Sequence, residues 1–250
     1  MASSSRASRT GRQQPIGLAS CPVLAELLEQ GRSLGRSGKV FDDLSALSTR
    51  SNVETLHSLM LHLEPTRTLE VGLAFGGSAL SICTAHRDLG RPPTHQHVAI
   101  DPYQTTVWDS CGLEALERAS LLDYVEFHEA NSALALPKLL IAESEFGFAY
   151  IDGSHLFEDV FVDAYFVLRM IVLGGVVAFD DSTNPHVAKV LRFLRRNCKA
   201  GLREMDLTAF RTRRGGLPYR LARRLGKVQL TAFQRVGSVE RAWNSQLIGF

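Results

Sequence analysis

The sequence has little of what would place it in a membrane or in a disulfide-bonded scaffold. No apolar run reaches the roughly 18–20 residues that a membrane-spanning helix requires, and the longest candidate, Met170 to Phe179, is interrupted by Gly174 and Gly175. The 250 residues include 4 cysteines, which are widely spaced and form no CxxC pair. This spacing argues against a metal cluster or a disulfide framework and favours free thiols in a reducing compartment. We therefore expect a cytoplasmic protein.

The first residues lack acids and lack the apolar segment of a secretory signal. They contain Arg6, Arg9 and Arg12 among several serines. An organelle transit peptide shares this composition but also has an apolar helical face, which we do not find here. We therefore predict a disordered basic tail over residues 1–18. The length of the remainder, residues 19–250, suits one large domain.

Short apolar runs alternate with helical periodicity through the middle of the chain, which predicts βαβ units and a mainly parallel α/β sheet. Solid apolar runs such as Phe146 to Ile151 are typical of strands buried on both faces. The predicted strands are Thr68 to Val71, Val98 to Ile100, Tyr124 to His128, Phe146 to Ile151 and Gly175 to Phe179. The predicted helices are Cys21 to Gln30, Asp42 to Leu63, Ser78 to His86, Gly112 to Leu122, Leu156 to Ile171 and one beginning at Asn184-Pro185.

The pattern changes after Cys198. Leu207 to Phe210 and Leu230 to Phe233 are β-like and have no clear helix between them. We predict that they pair as an antiparallel hairpin at the edge of the sheet.

A glycine turn follows the first strand of the predicted sheet. Gly72, Gly76 and Gly77 form a GxxxGG pattern, which differs from the dinucleotide fingerprint at the second glycine. The pattern fits either a ligand close to the backbone or a tight turn. Asp101 ends the next strand, where a carboxylate can accept hydrogen bonds from a ribose. Its alternative role is a turn residue before Pro102.

Three carboxylates and a histidine follow the next two strands: Asp152 and His155 after one, Asp180 and Asp181 after the other. Neighbouring carboxylates repel one another unless a cation or a proton joins them, and hard oxygen ligands suit Mg²⁺, Mn²⁺ or Ca²⁺. The alternative is that these acids cap helices or face solvent. His155 suits proton transfer near neutral pH, although a lone histidine is commonly structural.

Together these segments resemble a known family. Thr68 to His86 looks like motif I of class I S-adenosylmethionine-dependent methyltransferases. Tyr150 to His155 and Gly174 to Asp181 are similar to the methyltransferase-24-type branch, which is related to catechol-type O-methyltransferases and cephalosporin-hydroxylase-like proteins. The resemblance covers roughly residues 52–198. It implies a Rossmann-like methyltransferase fold: a mainly parallel seven-stranded sheet with helices on both faces.

The resemblance also implies roles for individual residues. S-adenosylmethionine would be held by Glu70, Gly72, Gly76, Ser78 near the methionine carboxylate, Asp101 at the ribose, and Asn131 and Ser132 by the adenine. Asp152, Asp180 and Asp181 match the metal-ligand positions, and His155 falls where catechol-type enzymes place a catalytic lysine. The residue pattern divides the chain further: we predict N-terminal helices over residues 20–65, the cofactor-binding core over residues 66–198 and a basic C-terminal hairpin region over residues 199–250.

We therefore expect O-methylation of a small-molecule acceptor, with His155 and Asp152 catalytic and a homo-oligomer as one form of assembly. Two forms of this enzyme stay open: one in which a divalent metal is a second cofactor, and one without a metal, in which the acids serve the structure. Gln104, Trp108 and Trp243 are further candidates for lining an acceptor pocket. A rival hypothesis of another class is a noncatalytic binding module on the same fold.

The charge of the chain is unevenly distributed. Residues 13–191 have 11 basic and 23 acidic residues, whereas residues 192–250 have 14 basic and 3 acidic ones. The densest basic stretch, Arg211 to Lys227, fits a solvated segment that balances the acidic part, or a site for an anionic acceptor. It also fits the rival module, which would bind RNA or an acidic partner. Binding of nucleic acid is the least supported of these interpretations, because bases stack on aromatic side chains and Tyr219 is the one aromatic residue in the stretch.

Overall fold

The structure of the protein, a computed structural model, describes residues 18–211 and 228–249. Apart from Leu18, the predicted basic tail lies outside the described residues, and so does most of the stretch from Arg211 to Lys227. Within the described ranges, no helix has the length and apolar character needed to cross a membrane.

A seven-stranded sheet forms the centre of the fold, in the order β5-β4-β3-β6-β7-β9-β8. Strands β3 to β7 are mutually parallel, β9 is antiparallel to β7, and β8 is antiparallel to β9. A separate hairpin pairs β1 with β2. The strands are β1 Ser33–Leu34, β2 Val40–Phe41, β3 Thr68–Val71, β4 His97–Ile100, β5 Val125–His128, β6 Phe146–Ile151, β7 Ile171–Phe179, β8 Leu202–Glu204 and β9 Thr231–Arg235.

Helices cover both faces of this sheet, as the α/β pattern predicts. Alternate residues of β6 show why: Ala149 and Ile151 pack with α5, α6 and α7, whereas Phe148 and Tyr150 pack with α2 and α3. A third apolar cluster joins α1, α3 and α4. The helices are α1 Pro22–Gln30, α2 Arg50–Leu63, α3 Gly77–Asp88, α4 Cys111–Arg118, α5 Ser132–Ile141, α6 Phe157–Met170 and α7 Pro185–Asn197.

The predicted fold class is confirmed, and three local predictions need correction. The helix predicted from Asp42 begins only at Arg50, because Thr49 caps it by accepting a hydrogen bond from the backbone nitrogen of Asn52. Residues 207–210 form a short 3-10 helix instead of a strand, since the Asp206 carboxylate accepts from the backbone nitrogen of Thr208. β9 therefore pairs antiparallel with β7 on one side and with β8 on the other, and not with residues 207–210.

Candidate active site

The parallel strands end at one edge of the sheet, and a cavity of about 420 Å³ lies there. This volume falls within the roughly 300–1,000 Å³ typical of small-molecule sites. Four of the residues predicted to bind a cofactor line the cavity: Gly72, Asp101, Asn131 and Ser132. All four members of the predicted metal and base cluster line it too: Asp152, His155, Asp180 and Asp181. Parallel pairing thus brings together groups that are far apart in sequence.

The glycine turn has a backbone conformation that favours glycine at two positions, and neighbouring backbone leaves little room for a side chain at either. Gly72 has φ +94°, and a Cβ there would lie 2.3 Å from the carbonyl oxygen of Asp152. Gly76 has φ +78°, and a Cβ there would lie 3.0 Å from the carbonyl oxygen of Gly112. Contact with neighbouring backbone, in addition to any ligand, therefore accounts for both glycines.

Asp101 holds this turn in place. Its Oδ2 accepts hydrogen bonds from the backbone nitrogens of Leu73 (3.0 Å) and Ala74 (2.8 Å). Its Oδ1 accepts from the backbone nitrogen of Tyr103 at 2.7 Å. An ionised carboxylate has about four acceptor positions, so Oδ1 retains capacity for a ligand hydroxyl.

Other predicted residues lie outside the cavity lining or have additional structural contacts. Glu70 is fully buried, with its Oε1 3.4 Å from Nε2 of His97. Ser78 is buried in the first turn of α3. Neither residue lines the cavity, and neither does Gly76. Their cofactor roles stay predictions.

The three candidates for an acceptor pocket separate in the structure. Trp108 lines the cavity and packs against Phe75 with the ring centroids 5.1 Å apart. Gln104 is buried and donates to the carbonyl oxygen of Ala74 at 2.8 Å, so it supports the glycine turn. Trp243 is 97% exposed and lies away from the cavity lining.

Asp180 lies at the cavity, but its carboxylate is occupied by protein donors. The side-chain nitrogen of Asn52 lies 2.9 Å from Oδ1 and 3.0 Å from Oδ2. The Tyr150 hydroxyl donates to Oδ2, and the backbone nitrogen of Asp181 donates to Oδ1 at 2.7 Å. Protein donors thus engage both oxygens of Asp180 in this structure, and its role as a metal ligand stays a prediction.

A different group of three faces the cavity. Nε2 of His155 lies 2.6 Å from Oδ2 of Asp181. Each of these residues offers one ligand atom, and the three atoms, from Asp152, His155 and Asp181, lie within 4.8 Å of one another. Burial, followed by the negative charges of Asp180 and Asp181, raises the pKa of Asp152 well above its ordinary value. The cluster therefore favours binding of a proton or a cation.

Some residues at the site were not found by sequence reasoning. Ser48 lines the cavity in a segment predicted to be helix, and Asn52 and Tyr150 reach Asp180 across the fold. The sequence does contain a signal that points to Asp163. It is an acid between the apolar positions Val160 and Val167 on the buried side of α6, a placement that calls for a specific partner.

Comparison with known proteins bears directly on this geometry. Residues 69–182 match the family model described as a methyltransferase domain, of the methyltransferase-24 type. Over these residues the chain is similar to class I methyltransferase domains of that branch. The matched segment begins in β3 and ends just after Asp181, so it spans the glycine turn, Asp101 and the acid and histidine cluster. The predicted resemblance is confirmed over this segment. We found no curated protein with a matching sequence.

Solved structures share the fold. The O-methyltransferase TomG from Streptomyces achromogenes, involved in tomaymycin synthesis and solved with S-adenosylmethionine, aligns with a TM-score of 0.61 and 17% identity, over 86% of this chain and 90% of that one. A Podospora anserina methyltransferase bound to S-adenosylhomocysteine gives a TM-score of 0.61 and 17% identity, over 85% and 87%. A putative O-methyltransferase from Klebsiella pneumoniae gives 0.60 and 18%, over 86% and 90%.

Proposed function

We propose that this methyltransferase transfers the methyl group of S-adenosylmethionine to an oxygen of a small-molecule acceptor. The observation that carries the proposal is the shared cavity: its lining includes Asp101 and Asn131 on one side and the Asp152, His155 and Asp181 cluster on the other. One cavity can thus hold a nucleoside and a reacting hydroxyl side by side. The S-adenosylmethionine in the TomG structure supports the choice of cofactor.

Asp101 and the end of β5 are the cofactor-binding elements in this proposal. The free acceptor capacity of Asp101 Oδ1 suits a ribose hydroxyl, and Asn131 and Ser132 lie where the adenine would reach α5. Gly72 brings the turn close to the ligand. Glu70, Gly76 and Ser78 do not line the cavity, and they keep the cofactor roles that the resemblance implies.

His155 acts as the general base. Its Nε2–H donates to Asp181, which leaves Nδ1 to accept a proton. The acceptor oxygen attacks the methyl carbon while the carbon–sulfur bond breaks, and the electron pair stays on sulfur to give S-adenosylhomocysteine. The acceptor proton passes to Nδ1 of His155. Positioning of the two reactants in one cavity supplies much of the rate enhancement.

The same cluster supports a second candidate, a divalent-cation site, because three ligand atoms already converge there. Asp152, His155 and Asp181 would hold the ion, with Asp180 excluded by its protein donors. One nitrogen and two oxygens suit Mn²⁺ or Zn²⁺ better than the all-oxygen preference of Mg²⁺ and Ca²⁺. Such an ion lowers the pKa of a bound acceptor hydroxyl.

The noncatalytic module stays the rival function. The basic region that it would use to bind RNA or an acidic partner falls mostly outside the described residues, although Arg211 is included and donates to the Ser51 hydroxyl at 2.6 Å. The recognition of an anionic acceptor by Arg220, Arg223 and Arg224 falls outside them as well.

Two measurements test the proposal. Calorimetry with S-adenosylmethionine and S-adenosylhomocysteine measures cofactor binding, and mass spectrometry of a panel of hydroxylated small molecules detects methyl transfer, with and without EDTA. Cofactor binding with methylated product supports the proposal, and activity that survives EDTA assigns His155 as the base. Activity lost to EDTA and restored by Mn²⁺ assigns the cluster to a cation. Absence of cofactor binding would favour the noncatalytic module.

A further inference from the structure

Asp163 is a buried carboxylate at the interface of α5 and α6, and it lines the cavity together with Asn131 and Ser132. Its exposed fraction is 1%. Neither carboxylate oxygen has a hydrogen-bond partner among the described residues. The Ser132 hydroxyl lies near enough to lower the pKa of this carboxyl, but its geometry completes no hydrogen bond. An acceptor-only group at the cavity therefore lacks a donor.

Burial without a donor is costly for a carboxylate. The cost is visible in the titration of the group: burial, with a further contribution from Asp159, raises the pKa of Asp163 to about 6 despite Ser132. At neutral pH the side chain is therefore mostly ionised while desolvated. A ligand that brings a hydrogen-bond donor to these oxygens recovers that energy.

A purely structural role is the obvious alternative, since the N-terminus of α5 is nearby and favours negative charge. The contacts do not support it. Asn131 already caps α5, with its Oδ1 accepting from the backbone nitrogen of Ala133 at 2.9 Å. Asp163 accepts from no backbone nitrogen of that turn.

We propose that Asp163 accepts a hydrogen bond from the exocyclic amine of the cofactor's adenine and so selects an adenine over a 6-oxo purine. This inference rests on the proposed function, because it requires the nucleoside to lie at the end of β5. The exocyclic amine is a donor with no acceptor capacity at that position, which matches an acceptor-only carboxylate. A 6-oxo purine would place a carbonyl oxygen against the carboxylate and leave both groups unsatisfied.

The test compares S-adenosylhomocysteine with S-inosylhomocysteine, in which a carbonyl replaces the amine, by calorimetry. We expect the wild type to prefer the adenosine compound by at least roughly tenfold. Asp163→Asn should weaken adenosine binding by roughly tenfold and bring the two affinities close together, because an amide can also donate to the inosine carbonyl. Glu158→Gln removes an exposed acid from the same helix and should leave both affinities unchanged.

The outcomes separate the two proposals. A wild type that binds neither compound overturns the proposed function. A wild type that binds both equally, or an Asp163→Asn variant with an unchanged preference, overturns the role of Asp163 alone. Where the variant fails to fold, equal wild-type affinities for the two compounds still overturn the role of Asp163.

Discussion

The side-chain nitrogen of Asn52 lies 2.9 and 3.0 Å from the two carboxylate oxygens of Asp180. This contact joins the first turn of α2 to the end of β7, across 128 positions of sequence. The carboxylate that the resemblance assigns to a metal thus has a structural partner within the protein. Asp152, His155 and Asp181 form the neighbouring cluster whose ligand atoms converge.

Replacing Asn52 with Ala should expose the structural role of this pair. Asp180 would lose a donor to each oxygen while staying buried, which costs about 1–3 kcal/mol of unfolding free energy. Urea unfolding monitored by circular dichroism measures the loss. Ser58→Ala, on the same helix, serves as the control. Equal stability of the Asn52 variant and the wild type would contradict the pairing.

Asp101→Ala should weaken S-adenosylhomocysteine binding by about 1.5–3 kcal/mol, the usual contribution of a charged hydrogen bond. The variant also leaves the backbone nitrogens of Leu73 and Ala74 without their acceptor, so a lower melting temperature should accompany the weaker binding. Calorimetry and thermal melting together measure both effects. Unchanged affinity would show that the carboxylate serves the turn alone.

His155→Ala should lower kcat by roughly 10²–10⁴-fold, the usual contribution of a general base. Cofactor affinity should stay near that of the wild type, because the proposed function assigns His155 to the acceptor and not to the cofactor. Rapid-quench kinetics and calorimetry separate the two parameters. A matching fall in cofactor affinity would contradict the assignment of His155 to the acceptor.

The stability of the fold should decrease as the pH falls below about 6.5, in part because of His86. Burial, followed by His97 and Arg91, lowers the pKa of this histidine from 6.5 to about 3. The unfolded state then binds a proton that the folded state excludes, so stability is complete above pH 6.5 and is lost toward pH 3. Urea unfolding of the wild type and His86→Gln between pH 4 and 7 measures the difference. Parallel pH profiles would contradict this assignment.

The contribution of Asp163 to stability should depend on pH in the opposite direction. Its folded pKa of about 6 lies above its ordinary 3.8, so its contribution to stability is present at low pH and is lost as the pH rises through 6. Above pH 7, Asp163→Asn should therefore stabilise the ligand-free protein, by up to about 3 kcal/mol. The measurement is urea unfolding without cofactor at pH 7.5. A destabilised variant would instead indicate a structural role at the start of α5.

Local pattern was sufficient for part of this structure. Short β-prone runs, two of them solidly apolar, located β3 through β7, and parallel pairing then placed Asp101, Asp152 and Asp181 at one edge. The two-residue strands β1 and β2 are too short to leave a periodic signal. The hydrogen bonds from Asn52 and Tyr150 to Asp180 depend on tertiary packing, which no local pattern contains.

The close approach of Gly72 to the backbone of Asp152 has an evolutionary consequence. A side chain at position 72 would collide with the carbonyl that precedes Gly153, so the loop facing the cofactor and the loop facing the acceptor share one boundary. A substitution that shifts the Asp152 loop to suit a new acceptor therefore also moves the glycine turn at Gly72, which we assign to the cofactor. We expect acceptor specificity in this protein to diverge through the segments that border the cavity elsewhere, such as residues 45–48, while these two loops change only together.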